Sequence, residues 1–156
     1  MIKILFVCHG NICRSVAAEF IFKHIIAQDK LDNKYYVESK AISSEELNND
    51  IYPPMKRALI KHNISFTRHF ATKITKQDYQ NFDYIFVMDF SNLSLIKYII
   101  PEDNAHKIFL IKEFVGQYGE VEDPWYTGKY DEVVKELSEC AKLIVKRLEE
   151  ENKNEN

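Results

Sequence analysis

Short apolar runs alternate along this chain with longer segments whose apolar residues recur every three or four positions. "IKILFV" (Ile2–Val7) is a near-continuous apolar run leading towards a glycine, the pattern of a buried parallel strand. "SVAAEFIFKHIIAQ" (Ser15–Gln28) carries apolar residues at helical spacing, with Ser15 placed to cap it. A second strand is predicted at "KYYVESK" (Lys34–Lys40), and a helix at "YPPMKRALIKHN" (Tyr52–Asn63), with prolines where missing N–H groups cost least. "FDYIFVMD" (Phe82–Asp89) reads as a third strand and "AHKIFLI" (Ala105–Ile111) as a fourth, with a helix, "SNLSLIKYII" (Ser91–Ile100), ending at Pro101 between them. "KYDEVVKELSECAKLIVKRLEEE" (Lys129–Glu151) is a long amphipathic helix, acidic early and basic later as the helix dipole favours.

Alternating strands and helices predict an α/β fold: a single-domain, four-stranded parallel sheet with helices on both faces, flavodoxin-like, in strand order 2-1-3-4. The domain is expected to span residues 1–151, leaving 152–156 as a frayed polar tail. In such sheets ligands lodge at the carboxyl ends of the strands. The loop after the first strand is therefore where chemistry is expected.

Composition narrows the function classes. The chain has 156 residues, enough for one well-buried core, and a formal net charge of −3. That balance gives no reason to expect a nucleic-acid partner. Its cysteines, Cys8, Cys13 and Cys140, form neither a disulfide framework nor a zinc pattern. No signal-peptide core and no run approaching a membrane span is present. A cytoplasmic protein with reduced thiols, no metal, no cofactor and no membrane contact is the expectation.

The loop from Cys8 to Ser15, "CHGNICRS", is a candidate dianion cradle. Backbone N–H groups in a tight strand-to-helix turn converge, and the helix N-terminus adds its own. Gly10 is expected to take a strained backbone angle and to let an anion approach. Arg14 offers a planar fork matching two phosphate oxygens. The loop lacks the lysine of nucleotide-binding phosphate loops and has a thiol at its base instead. The field that binds an anion also stabilises a thiolate, so Cys8 is expected to be a nucleophile aimed at phosphorus. The competing reading, a small buried residue ending a strand, does not explain Gly10, Arg14 and Ser15 at this spacing.

Attack on a phosphate monoester needs a proton donor for the leaving oxygen. "VEDPWYTG" (Val121–Gly128) supplies a candidate in Asp123, stiffened by Pro124 and followed by Trp125 and Tyr126, which are suited to line a slot for a flat ring.

These two segments resemble those of the low-molecular-weight protein tyrosine phosphatases. "VCHGNICRS" contains that family's C-x5-R-S loop, and "EDPWYTG" looks like its general-acid loop. "VESK", "YPPMKRAL", "SFTRHFATKIT" and "DYIFVMDFSNL" fall between them in family order. The resemblance implies a cysteine-dependent, metal-independent phosphoric monoester hydrolase acting on phosphotyrosine. It makes Cys8 the nucleophile that becomes phosphocysteine, Arg14 the phosphate ligand and Asp123 the general acid, then base. His9, Gly10, Asn11, Ile12 and Cys13 complete the phosphate-binding loop with Cys8, Arg14 and Ser15. Asn11, Ser15, Ser39 and His69 match the supporting hydrogen-bond network. His9, Trp125 and Tyr126 are expected at the wall of the substrate slot, and Cys13 as a redox partner of Cys8. Asp89 reads as a helix cap in preference to a part of the loop scaffold, and Cys140 as a core residue. Implied partners are tyrosine-phosphorylated proteins, inorganic phosphate or another oxyanion as product or inhibitor, and a cognate tyrosine kinase.

The chain departs from the family pattern in "SKAI" (Ser39–Ile42), which lacks a common glycine, and at Val16, which replaces a common proline. Three alternatives share the loop. An arsenate reductase needs relay cysteines, and Ala17–Glu139 contains none. A protein-arginine phosphatase tends to carry Thr where this loop has Ile12, and Ile12 favours an aromatic ring. A non-catalytic phosphate-binding module has no use for Asp123.

Overall fold

The computed structural model describes residues 1–154. Four parallel strands, β1 (Ile2–Cys8), β2 (Tyr35–Ala41), β3 (Tyr84–Val87) and β4 (Ile108–Leu110), form one sheet in the order β2-β1-β3-β4. The helices are α1 (Arg14–Gln28), α2 (Pro53–Lys61), α3 (Lys76–Asn81), α4 (Phe90–Leu95), α5 (Ile111–Phe114), α6 (Pro124–Thr127) and α7 (Tyr130–Asn154). This is the expected single-domain α/β architecture, helices on both faces included.

The central strand shows why both faces are covered. Ile4 through Val7 are all fully buried, and successive side chains point to opposite faces. Ile4, Phe6 and Cys8 join a cluster with α1, α2 and α7, whereas Leu5 and Val7 join one with Ile74, Phe82, Ile96 and Ile100. Phe86 anchors the first cluster, its ring 4.9 Å from that of Phe114 and 5.7 Å from that of Phe6. Cys140 is fully buried there, as its place on α7 predicts.

Differences from the expected elements have local causes. β3 and β4 are shorter than their apolar runs, because Met88 and Ile111 lie past the strand ends yet still bury their side chains. The short helices α3, α5 and α6 are additional. α3 starts at a capping box in which Thr75 and Asp78 satisfy each other's backbone N–H groups. The helix read from Ser91 to Ile100 gives way to a 3-10 turn at Ile96–Tyr98. α7 continues through Asn154, so residues 152–154 of the expected tail are helical, and Glu155 and Asn156 lie outside the described residues. Among the described residues no helix is long and apolar enough to cross a membrane.

The long connection from β2 to α3 is tied to the sheet's carboxyl end. Ala41 donates to Thr72 O at 2.7 Å, and Ile74 donates to Ala41 O at 2.8 Å. Asp50 organises its middle. Its carboxylate accepts from the Ile51 and His69 amides at 2.8 and 3.0 Å and pairs with Lys56 and Arg68. Burial on its own raises this carboxyl, but the hydrogen bonds outweigh it and hold the group well below the usual carboxylate range. A depressed carboxyl stabilises the fold fully above the unfolded value of about 3.9, and that contribution is lost as pH falls through the folded value. Asp50→Asn is therefore expected to lower stability to urea at pH 7 by about 1–2 kcal/mol. The gap between variant and wild type should begin to narrow only below about pH 4 and keep narrowing as pH is lowered further; a gap that stays constant with pH would contradict the assignment.

Candidate active site

β1 ends at Cys8 and α1 begins at Arg14, so the whole turn is Cys8–Ser15. Its shape depends on Asn11, which is fully buried and sits in the left-handed region at φ 60°. Asparagine tolerates that region better than most residues, and the surroundings must still hold it there. They do so from every side. Asn11 Nδ2 donates to Ser15 Oγ and Ser39 Oγ, each at 2.9 Å. Asn11 Oδ1 accepts from the Thr72 amide at 3.1 Å, and His69 Nε2 faces both Asn11 O at 2.7 Å and Oδ1 at 3.1 Å. Both partners are acceptors, so Nε2 carries the proton. Burial pushes the His69 imidazole below its ordinary value.

The four expected network residues thus meet in one buried cluster behind the loop. Glu19 extends it, accepting from Ser39 Oγ at 2.6 Å and from Lys23 Nζ at 2.5 Å. Its signal in the sequence is an acid on the apolar face of α1, one helical turn after Ser15.

Two local expectations are corrected. Ser15 is not the α1 cap: Cys13 holds that position with no side-chain cap bond, and Ser15 lies inside the helix. Its hydroxyl is engaged instead by the Cys8 thiol, which donates to Oγ at 3.0 Å, while the Ser15 amide donates to Cys8 Sγ at 3.4 Å. Gly10 does not take the left-handed angle; Asn11 does. What Gly10 provides is room, because a Cβ there would lie 3.3 Å from Glu46 Cγ.

Arg14 is 3% exposed and clamped from two sides. Nη1 donates to Asp89 Oδ2 and to Val121 O, both at 2.8 Å, and Nη2 lies 3.6 Å from Asp123 Oδ2. Asp89 is therefore both the α4 cap, accepting from the Asn92 amide at 2.7 Å through Oδ1, and the arginine's anchor through Oδ2. The cap alone accounts for only one of its oxygens. Asp123 caps α6 and accepts from the Trp125 amide at 3.0 Å, so the acid loop closes into a single helical turn started by Pro124.

One cavity of about 470 Å³ opens over this arrangement. Cys8, Ile12, Cys13, Arg14 and Asp123 line it, and so do His9, Trp125 and Tyr126 at its mouth. The expected catalytic and wall residues are all together there. Tyr52 and Tyr130 complete the aromatic side and were not expected; Tyr52 lies 5.2 Å from Trp125 and 6.3 Å from Tyr130, ring centre to ring centre. Their only sequence signals are that Tyr52 precedes a Pro-Pro helix start and Tyr130 starts the helix after the acid loop. Burial, then the neighbouring Cys8, pushes the Cys13 thiol far up. All three cysteines are free, and Cys140 is buried away from the cavity. No group of three or more His, Cys, Asp or Glu among the described residues is arranged to hold a metal.

A thiol at the start of a tight strand-to-helix loop, with a buried guanidinium and a carboxyl lining the same cavity, defines the class of cysteine-based phosphate-loop proteins. Comparison narrows the class. The family model described as low molecular weight phosphotyrosine protein phosphatase matches residues 3–154, and the chain belongs to that family. The low molecular weight protein-tyrosine-phosphatase YfkJ of Bacillus subtilis is 31% identical, covering 97% of this chain and 98% of its own. Its crystal structure superposes with a TM-score of 0.92 over 97% of this chain and 96% of that one. The low molecular weight phosphotyrosine protein phosphatase of Gallus gallus is 36% identical over 93% of this chain and 94% of its own. A structure of YwlE arginine phosphatase, a mutant with a phosphorylated active-site serine, is 28% identical with a TM-score of 0.85, covering 95% and 96% of the two chains.

The clamp on Arg14 makes a prediction. Asp89→Ala leaves a buried guanidinium with a carbonyl and a distant carboxylate and removes the α4 cap. It is expected to cost about 3 kcal/mol in a urea titration and to weaken inhibition by inorganic phosphate. Unchanged phosphate inhibition would show that Asp89 does not orient Arg14.

Proposed function

We propose that the protein hydrolyses phosphotyrosine through a phosphocysteine intermediate on Cys8. The phosphate lies in the Cys8–Ser15 loop, with Arg14 holding two of its oxygens. Cys8, its proton released to solvent beforehand, attacks as the thiolate: Sγ forms a bond to phosphorus as the ester P–O bond breaks, and Asp123 gives its proton to the departing phenolate. Asp123, now a carboxylate, takes a proton from water as that water attacks phosphorus. The S–P bond breaks, and inorganic phosphate leaves. No step calls for a metal or cofactor. The observation that supports this reading best is the meeting of Cys8, Arg14 and Asp123 in one cavity, with Asp123 Oδ2 3.6 Å from Arg14.

The phenyl ring fits between His9 and the aromatic side formed with Trp125 and Tyr126. Asn11, Ser15, Ser39 and His69 hold the loop in its left-handed turn, and Cys13 is the thiol that pairs with Cys8 under oxidation. The substrates are tyrosine-phosphorylated proteins, with a tyrosine kinase as the opposing activity and inorganic phosphate or another oxyanion as product inhibitor. The working domain runs to the end of α7, and the protein acts in the cytoplasm.

A second reading, a protein-arginine phosphatase, is favoured by the similarity to YwlE and opposed by Ile12, an apolar residue on the cavity lining that offers no acceptor to a guanidinium. Comparing release from phosphotyrosine and phosphoarginine peptides separates the two, with phosphotyrosine expected to be the better substrate. Asp123→Ala is expected to slow hydrolysis by about 10²–10⁴ for phenyl phosphate. Judged by kcat/KM, which reports phosphoryl transfer to Cys8 and not the later breakdown of the intermediate, the loss should be much smaller for p-nitrophenyl phosphate, whose leaving group needs no proton. An equal loss on both esters would remove Asp123 from the acid role.

A further inference from the structure

The mouth of the cavity over Cys8 has two unlike sides. One is aromatic, and the other is built from His9, Glu45 and Glu46. The only Lys or Arg among the lining residues is Arg14, which is 3% exposed at the floor and already anchored by Asp89 and Val121. At the rim, negative charge therefore prevails.

The two glutamates are held in register with the phosphate loop. The Ser43 amide and hydroxyl both donate to His9 O at 3.0 Å, tying the segment that carries Glu45 and Glu46 to the loop. His9 Nε2 faces Glu45 Oε2 at 3.2 Å. Glu46 lies against Gly10, in the space a Cβ would crowd, and its carboxylate accepts from Asn49 Nδ2 at 2.7 Å. A phosphate bound to Cys8–Ser15 brings the tyrosine's neighbours in sequence out over this rim. An acidic neighbour meets like charge there, and a basic one is paired. Trp125 and Tyr126, 62% and 84% exposed, add ring faces that attract a cation.

We propose that Glu45 and Glu46 are specificity-determining residues that select phosphotyrosines flanked by Lys or Arg and disfavour those flanked by Asp or Glu. This rests on the phosphotyrosine reading above. The test uses two peptides identical except for Lys or Glu on both sides of the phosphotyrosine, with phosphate release as the readout and the ratio of their kcat/KM as the result. At low ionic strength the wild-type ratio is expected to favour the Lys peptide about tenfold, as a few exposed charge pairs allow. It should shrink at roughly 1 M salt, where the screening length is about 3 Å.

In the double variant Glu45→Gln/Glu46→Gln the ratio is expected to fall to about one to two, the residue of a charge effect with its carboxylates removed. Because the ratio is internal to each protein, a general loss of activity cancels. A wild-type ratio near unity or favouring Glu, or one the variant leaves unchanged, overturns the proposal. If p-nitrophenyl phosphate is turned over while the charge preference is missing, only this proposal fails. If neither peptide nor p-nitrophenyl phosphate is turned over, the phosphatase reading falls, and this one with it.

Discussion

The site depends on keeping one buried asparagine in a backbone conformation it would not hold alone. Asn11, at φ 60°, gives the turn between β1 and α1 its left-handed bend, and the Ser15 amide beyond it donates to Cys8 Sγ. Left-handed backbone costs an L-residue roughly 1–2 kcal/mol, and a buried amide without partners costs more. Both costs are offset by the contacts from Ser15, Ser39, His69 and Thr72. These residues come from α1, β2 and the long β2–α3 connection, so the loop is held by segments far apart in sequence.

The sheet explains how those segments arrive. β1 is central, flanked by β2 and β3, so the chain leaves it first to one side and later to the other. The loops after β1, β2 and β3 then converge at one end. The β1 loop supplies the thiol and Arg14, β2 supplies Ser39, and the end of β3 leads to Asp89. Asp123 returns to the same end because the Val121 amide donates to Met88 O and Val121 O accepts from Arg14. Arg14 thereby links the phosphate loop to the acid loop through a single guanidinium.

The sequence made the central strand, the long helices and the Cys8–Arg14–Asp123 set legible because each is dictated by local pattern: apolar runs, helical period, a fixed motif spacing. What it left unreadable depends on partners. Ser15 looks like a cap until Cys8 and Asn11 stand beside it, and Gly10 looks like the strained residue until Asn11 is seen to carry the strain. The second oxygen of Asp89 finds its use only when Arg14, distant in sequence, folds against it. Tyr52 and Tyr130 join the slot through ring packing that has no sequence period. The short helices α3 and α6 arise from caps, Thr75 and Asp123, more than from hydrophobic spacing.

The central claim is that Cys8 Sγ takes the phosphoryl group while Asp123 serves both halves of the reaction. The most direct measurement is mass spectrometry of Asp123→Ala quenched in acid during turnover of p-nitrophenyl phosphate, followed by mapping of the modified peptide. With the base missing, breakdown of the intermediate slows, and the account predicts a phosphoryl adduct on the peptide containing Cys8. An adduct on another residue, or none while product is still released in a burst, would contradict it.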